Sequence, residues 1–211
     1  MDSTDAADLV AEISEERAEN QADDRFRNRA ALLIAILAAV LAIGGLGGGN
    51  ATDDMIASNI RASDTWAFYQ AKNMRQTVYG IAAAELESRL AAPNLDAAER
   101  GRLTARLAEY RATIARYESE PDPEAPDDPA RGEGKRQLRA QAQAFEAARE
   151  EAGERDDNFD MAEVLLQLAL VLGSVAILAV NRAILVVSVV LGALGSALTL
   201  NGFFLLAPLP F

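Results

Sequence analysis

The sequence predicts an all-α membrane protein: three transmembrane helices, with a long helical, coiled-coil-like hairpin domain between the first and the second. Three observations predict it. Two nearly charge-free apolar blocks, Ala30–Leu46 and Val164–Ala207, bracket a densely charged middle. The apolar residues of that middle recur at three- and four-residue spacing, the period of a helix face. The only charged side chain between Val164 and Ala207 is Arg182, so the second block has one wet place to turn. As a single rod the ~47 residues Met161–Ala207 would be roughly 70 Å long. A bilayer core is only about 30 Å thick, so two helices joined at Asn181-Arg182 are expected.

Half of the 211 residues are hydrophobic and the formal charge is −12. Segregation into apolar and charged blocks is the pattern of a membrane protein rather than of one globular core. There is no histidine and no cysteine. Imidazole bases, Ser-His-Asp and Cys-His nucleophiles, thiolate zinc sites and disulfides are thereby removed together. The acidity argues against nucleic acid, whose phosphates need clustered Lys and Arg. No enzyme activity, cofactor or metal is expected.

Residues 1–29 form an acidic leader with nine carboxylates and four arginines. It is expected to be solvated, with room for one short amphipathic helix around Leu9, Val10 and Ile13. Residues 30–49 are the first membrane helix, with a glycine-rich exit (Gly44, Gly45, Gly47, Gly48, Gly49) that should fray. Its preceding region is too long and too acidic for a secretory signal. Ala31, Ala35, Ala39 and Ala42 make a smooth face suited to close helix packing.

Residues 50–160 read as the helical extramembrane domain. Ile56, Ile60, Ala67, Met74, Ile81 and Ala84 form one apolar series, interrupted by Ser63, Gln70 and Thr77. Trp66, Tyr69 and Val78 form a second. Pro93 ends this helix, and Asp96 with Glu99 offers the next cap. Leu103, Leu107, Tyr110, Ile114 and Tyr117 then make a heptad-like stripe, so Asp53–Ala92 and Asp96–Ser119 should pair antiparallel. Residues 120–134 hold four of the seven prolines and six acidic residues, which predicts an extended loop without a calcium-loop pattern. From Lys135 a helix resumes and can run directly into the second membrane segment, 161–180. The turn is 181–182 and the third membrane helix 183–207, with Ser188-Gly192-Ser196 as a small-residue seam.

Arg25, Arg27, Arg29 and Arg182 belong on the cytoplasmic side by the positive-inside rule. That places the N-terminus inside and residues 50–160 outside, in the periplasm of a bacterial inner membrane. Residues 50–163 carry 15 basic and 23 acidic side chains, a net −8, without the basic bias of a cytoplasmic loop.

The string SNIRASDTWAFYQAKNMRQTVYGI, Ser58–Ile81, resembles the signature of an uncharacterised bacterial membrane family, domain of unknown function 4337. Ala62-Ser63-Asp64, Trp66, Tyr69-Gln70-Ala71-Lys72 and Gln76 carry the resemblance, with Gln167-Leu168-Ala169 and Asn201-Gly202-Phe203-Phe204 further on. It covers Ala30 to Leu206. The acidic leader and the proline-rich loop depart from it. The resemblance implies a membrane location and this helical order, and no activity.

Two sets of residues stand out. Asp64, Trp66, Tyr69, Gln70 and Lys72 are a candidate interaction surface, because Trp and Tyr serve as interface anchors; their competing role is to fill and edge the helical core. Glu163, Gln167 and Asn201 are a candidate intramembrane polar site, expected on the outer side, where Glu163 and Asn201 can meet. Two functions follow. One is a membrane-anchored structural or interaction protein, with the bilayer and a homo-oligomer or unidentified membrane protein as partners. The other is a subunit of an oligomeric channel or transporter lined by Glu163, Gln167 and Asn201.

Overall fold

Among the described residues four α-helices follow one another: α1 (Ser3–Leu90), α2 (Ala97–Glu118), α3 (Lys135–Ala179) and α4 (Arg182–Phe204). The computed structural model describes residues 3–208, with side chains from residue 16 onward except 18 and 19. No strand occurs among the described residues, only an isolated bridge between Pro121 and Gly132. Three helices, α1, α3 and α4, contain stretches long and apolar enough to cross a membrane. Two compact units share the chain: residues 1–53 with 152–211, and residues 54–151.

The leader is not a separate segment, because α1 is helical from Ser3. The side chains of Leu9, Val10 and Ile13 and the tail residues 209–211 lie outside the described residues.

In the first unit α1, α3 and α4 pack through small residues. Leu37, Leu166 and Ala169 form the core, with Leu33, Val40, Leu41, Leu170 and Leu191 around it. Glycines let these side chains in. A Cβ on Gly192 would lie 2.6 Å from Leu37, and one on Gly195 would lie 2.8 Å from Leu166. Ser188 is fully buried and donates to the Ala169 carbonyl at 2.6 Å. The buried seam of α4 is therefore Ser188, Gly192, Gly195 and Thr199 rather than Ser188-Gly192-Ser196; Ser196 turns back onto the Gly192 carbonyl of its own helix. Ala31, Ala35, Ala39 and Ala42 are exposed, because α1 turns Leu37 and Gly44 inward instead.

The glycine run does not fray. α1 passes through it as continuous helix. Each glycine costs a helix about 1 kcal/mol relative to alanine, so something must compensate, and the Phe159 ring of α3 does so. A Cβ on Gly47 would lie 2.6 Å from Phe159 Cζ and 2.9 Å from Phe203 Cζ; one on Gly202 would lie 2.8 Å from Phe159. Phe159 and Phe203 meet edge-on at 4.9 Å. The glycines of α1 and α4 form the socket of an aromatic wedge.

The turn between α3 and α4 is tight. Val180 takes a left-handed φ of 48°, and the Asn181 N–H donates to the Ala176 carbonyl at 3.1 Å. This is a Schellman closure with valine in the position glycine usually holds. The Asn181 side chain then caps α4, accepting from the N–H groups of Ala183 and Ile184 at 2.9 and 3.3 Å.

In the second unit α2 lies antiparallel to the end of α1. Ala83 and Leu86 meet Leu107, with Leu90, Leu103, Tyr110 and Ile114 around them. Asp96 caps α2 by accepting from the Glu99 N–H at 2.8 Å. The inward line of α1 is not the apolar series. Ile56, Ile60, Met74 and Ile81 all face outward. Ser58, Ala62, Trp66, Tyr69, Lys72, Gln76, Tyr79, Ala83 and Leu86 face inward at three-four spacing. Lys72 and Gln76 lie inside because each has a partner there.

Residues 120–134 are folded rather than extended. Three turns follow one another, closed by Ala125 N–H to Asp122, Asp128 N–H to Ala125 and Arg131 N–H to Asp128. Pro123, Pro126 and Pro129 each occupy the second position of a turn, where their fixed φ is favoured. Asp122 and Asp128 accept from the N–H groups of Glu124 and Ala130, both at 2.9 Å. The repulsion expected among the carboxylates is met by these N–H groups and by Arg131, 2.6 Å from Asp122.

Candidate functional site

Trp66, Tyr69, Lys72 and Gln76 sit on the inward line of α1, and each meets another element of the second unit. The Trp66 indole donates to Glu146 of α3 at 2.8 Å. Tyr69 stands edge-on to Trp66 at 5.5 Å, and the Lys135 ammonium lies 5.7 Å from its ring. Gln76 donates to the Ile114 carbonyl at 3.1 Å and to Glu118 at 3.2 Å, both on α2.

Lys72 is buried, only 5% exposed. Its ammonium donates to the main-chain oxygen of Glu133 and pairs with the Glu120 and Glu133 carboxylates at 3.4 and 3.5 Å. The Phe68 and Tyr117 rings lie 5.1 and 5.9 Å away. A buried charge is tolerated only when it is paired and hydrogen-bonded, and the proline loop supplies both partners. Gln137 and Gln141 hold the same loop through the Glu120 N–H and the Gly132 carbonyl.

Glu118 gathers what these contacts leave. The hydrogen bond from Gln76, with Lys135 at 3.3 Å and Arg136 at 3.7 Å, holds its carboxyl below the usual range.

Asp64 and Gln70 are exposed, so the five residues of the candidate surface do not form one patch. Trp66, Tyr69 and Lys72 come together inside. The polar set also divides. Gln167 donates to Glu163 at 2.7 Å, and both side chains are exposed. Asn201 is buried and bonded elsewhere: it donates to Asn158 at 2.8 Å and exchanges two hydrogen bonds with the Ala207 backbone. That pairing ties the end of α4 to α3.

The proline loop surrounds an open pocket of about 420 Å³ lined by Glu120, Pro121, Asp122, Pro123, Gly132 and Glu133. Its walls offer carboxylates and main chain, with no nucleophile–base pair. Among the described residues no group of three or more Asp or Glu is placed to hold a metal ion.

Sequence reasoning missed Glu146, Asn158 and Phe159 as partners. Asn158 and Phe159 lie in a charged stretch where periodicity is weak. The glycine run was the one signal for Phe159, since a helix rich in glycine needs a large side chain against it.

This is an all-helical chain with three helices able to span a membrane, whose motif residues join one helix to its neighbours. It belongs to the family described as Domain of unknown function (DUF4337), whose model matches residues 26–205. Searches of curated proteins and of solved structures found no match.

Proposed function

We propose that the chain is a non-enzymatic, membrane-anchored interaction protein. It presents a coiled-coil-like helical hairpin, residues 50–160, on the periplasmic side of a bacterial inner membrane. The use of the motif carries this reading: Trp66, Lys72 and Gln76 hold α3, the proline loop and α2 against α1. Residues engaged this way build a rigid scaffold, and no set of reactive groups accompanies them. The lack of histidine and cysteine points the same way.

The membrane anchor is supported by the three apolar spans. The orientation is supported by Arg25, Arg27 and Arg29 before the first span and Arg182 in the turn after the second. Its test uses the absence of native cysteine. Asp127→Cys, exposed in the proline loop, is labelled by an impermeant maleimide in intact spheroplasts if the domain is periplasmic. Labelling only after lysis reverses the orientation, and release of the protein by alkaline carbonate removes the anchor.

A second reading rests on the exposed Glu163–Gln167 pair, which the chain's own helices do not enclose. An oligomer that enclosed it would form a channel or transporter, with Asn201 supporting the wall. Proton flux in liposomes that disappears with Glu163→Gln favours this second reading; flux indistinguishable from empty liposomes rejects it.

A further inference from the structure

Among the described residues one face of α1 in the second unit has no partner. Ile60, Ala67, Met74 and Ile81 recur on it every seven residues, and Ile56 precedes them in the same register. The large ones are open to solvent: Ile56 by 49%, Ile60 by 54%, Met74 by 72% and Ile81 by 67%. The positions between them, Ser63, Gln70, Thr77 and Ala84, complete a three-four repeat and are also exposed. This is the a/d pattern of a coiled coil. The line that faces α2 and α3, through Ala62, Tyr69, Lys72 and Gln76, falls at the c and f positions, on the other side of the helix.

The geometry points to a second copy of this chain as the occupant. The two copies would pair as a parallel two-stranded coiled coil along Ile56–Ala84. Three arguments carry it, and the parallel sense also rests on the membrane anchor proposed above.

The first is charge. In a parallel two-fold pair each a residue meets its own copy, and so does each d residue. A charge at any of these positions would meet itself. None is charged, although Arg61, Asp64, Lys72 and Arg75 all lie in the same stretch. The flanking positions add no like-charge pair: Trp66 and Asn73 are turned to Glu146 and Lys135 of α3, and Gly80 faces Glu85. The face is compatible with itself.

The second is area. A large aliphatic side chain presents roughly 100 Å² when fully exposed, from its transfer energy at about 25 cal/mol per Å². Ile56, Ile60, Met74, Ile81 and the neighbouring Val78 are half to nearly three-quarters exposed, so together they offer roughly 300 Å² in one strip. That is at the lower end of the largest apolar patch on a typical monomer, a size that is often functional. Doubled it is roughly 600 Å² of apolar surface, about half of the roughly 1,200 Å² of a small specific interface, to which the small residues between add. Copies held in one bilayer also meet at raised effective concentration.

The third is Gln70. It is exposed at a d position midway along the strip. A single polar residue at a core position of a coiled coil fixes register, and across a two-fold Gln70 meets its own amide, which both donates and accepts.

The chain has no native cysteine, so single-cysteine variants report the contact directly. In native membranes Ile60→Cys and Met74→Cys are each expected to give an oxidised dimer of twice 22.5 kDa, while Arg75→Cys, exposed off the strip, stays monomeric. A Met74→Glu/Ile81→Glu double variant is expected to keep its helix content by circular dichroism and to lose the dimer in detergent by at least tenfold in affinity. Three results would overturn the inference: a wild-type monomer in both detergent and nanodiscs, cross-linking equal at all three positions, or linkage only between Met74→Cys and Gln70→Cys chains, an a–d pairing, which is antiparallel. Loss of membrane association is a separate readout, by carbonate extraction, and bears on the anchor alone.

Discussion

Lys72 donates to the main-chain oxygen of Glu133, 61 residues further along the chain. One side chain thus fixes where the proline loop closes. Its two carboxylate partners remain wet, 37% and 70% exposed, so removing Lys72 does not strand buried charge. What is lost is the charged hydrogen bond to Glu133 and the ammonium's approach to the Phe68 and Tyr117 rings. Lys72→Met is expected to destabilise the second unit by about 1.5–3 kcal/mol. Limited proteolysis within residues 120–134 should speed up, and the melting temperature should fall. Arg75→Met, three residues on and exposed, should change stability by less than about 0.5 kcal/mol.

Gly47 and Gly45 predict opposite signs for one substitution. Gly45→Ala meets nothing within 4 Å and should stabilise α1 by up to about 1 kcal/mol through helix propensity. Gly47→Ala drives a methyl into Phe159 and Phe203 and should cost about 1–3 kcal/mol. Thermal denaturation in detergent compares the two directly. Equal effects would remove the Phe159 socket from the account.

Val180 strains the turn between α3 and α4. A β-branched residue at positive φ is a conformational outlier. Val180→Gly is expected to stabilise the fold by about 0.5–1 kcal/mol, the relief exceeding glycine's entropy cost. The measurement is a rise in melting temperature with unchanged helix content.

Glu118 gives the second unit a pH dependence. Its carboxyl lies below its unfolded value of 4.5, chiefly through the Gln76 hydrogen bond, with Lys135 and Arg136 adding to it. Such a group contributes stability above pH 4.5, and loses it as the pH falls through the lowered folded value. The side chain is 44% exposed, so salt screens the ionic part. Glu118→Gln should remove that contribution, lowering stability modestly at neutral pH and leaving it nearly unchanged at the acid end, so that the acid limb below about pH 4.5 flattens.

Much of the fold was legible because it rests on composition and period. The apolar spans, the Asp96 cap, the Leu103–Ile114 stripe and the turn at Asn181 follow from residue types at fixed spacing. Two things were not legible. The apolar series through Ile60, Met74 and Ile81 suggested an inward face, yet the line through Lys72 and Gln76 lies inside. Periodicity finds a stripe but not what meets it, and a buried lysine becomes reasonable only when Glu133 and Glu120, distant in sequence, arrive beside it. The loop failed differently. Its prolines recur every three residues at Pro123, Pro126 and Pro129, a period that spells consecutive turns, but its charge suggested extension. Of the two candidate sites, adjacency along α1 grouped Asp64 and Gln70 with Trp66, while helical geometry separates them. Asn201 finds its partner Asn158 rather than Glu163 because the end of α4 has backbone groups to satisfy there.

The socket for Phe159 has a consequence in time. Gly47 and Phe159 are 112 residues apart. At roughly 5–20 residues per second of synthesis, the glycine run exists for about 6–20 s before the ring that fills it has been made. For that interval the end of the first span has only weak propensity to hold it helical. α1 is the first helix to be translated, and it is finished last, from behind, by a side chain of the third.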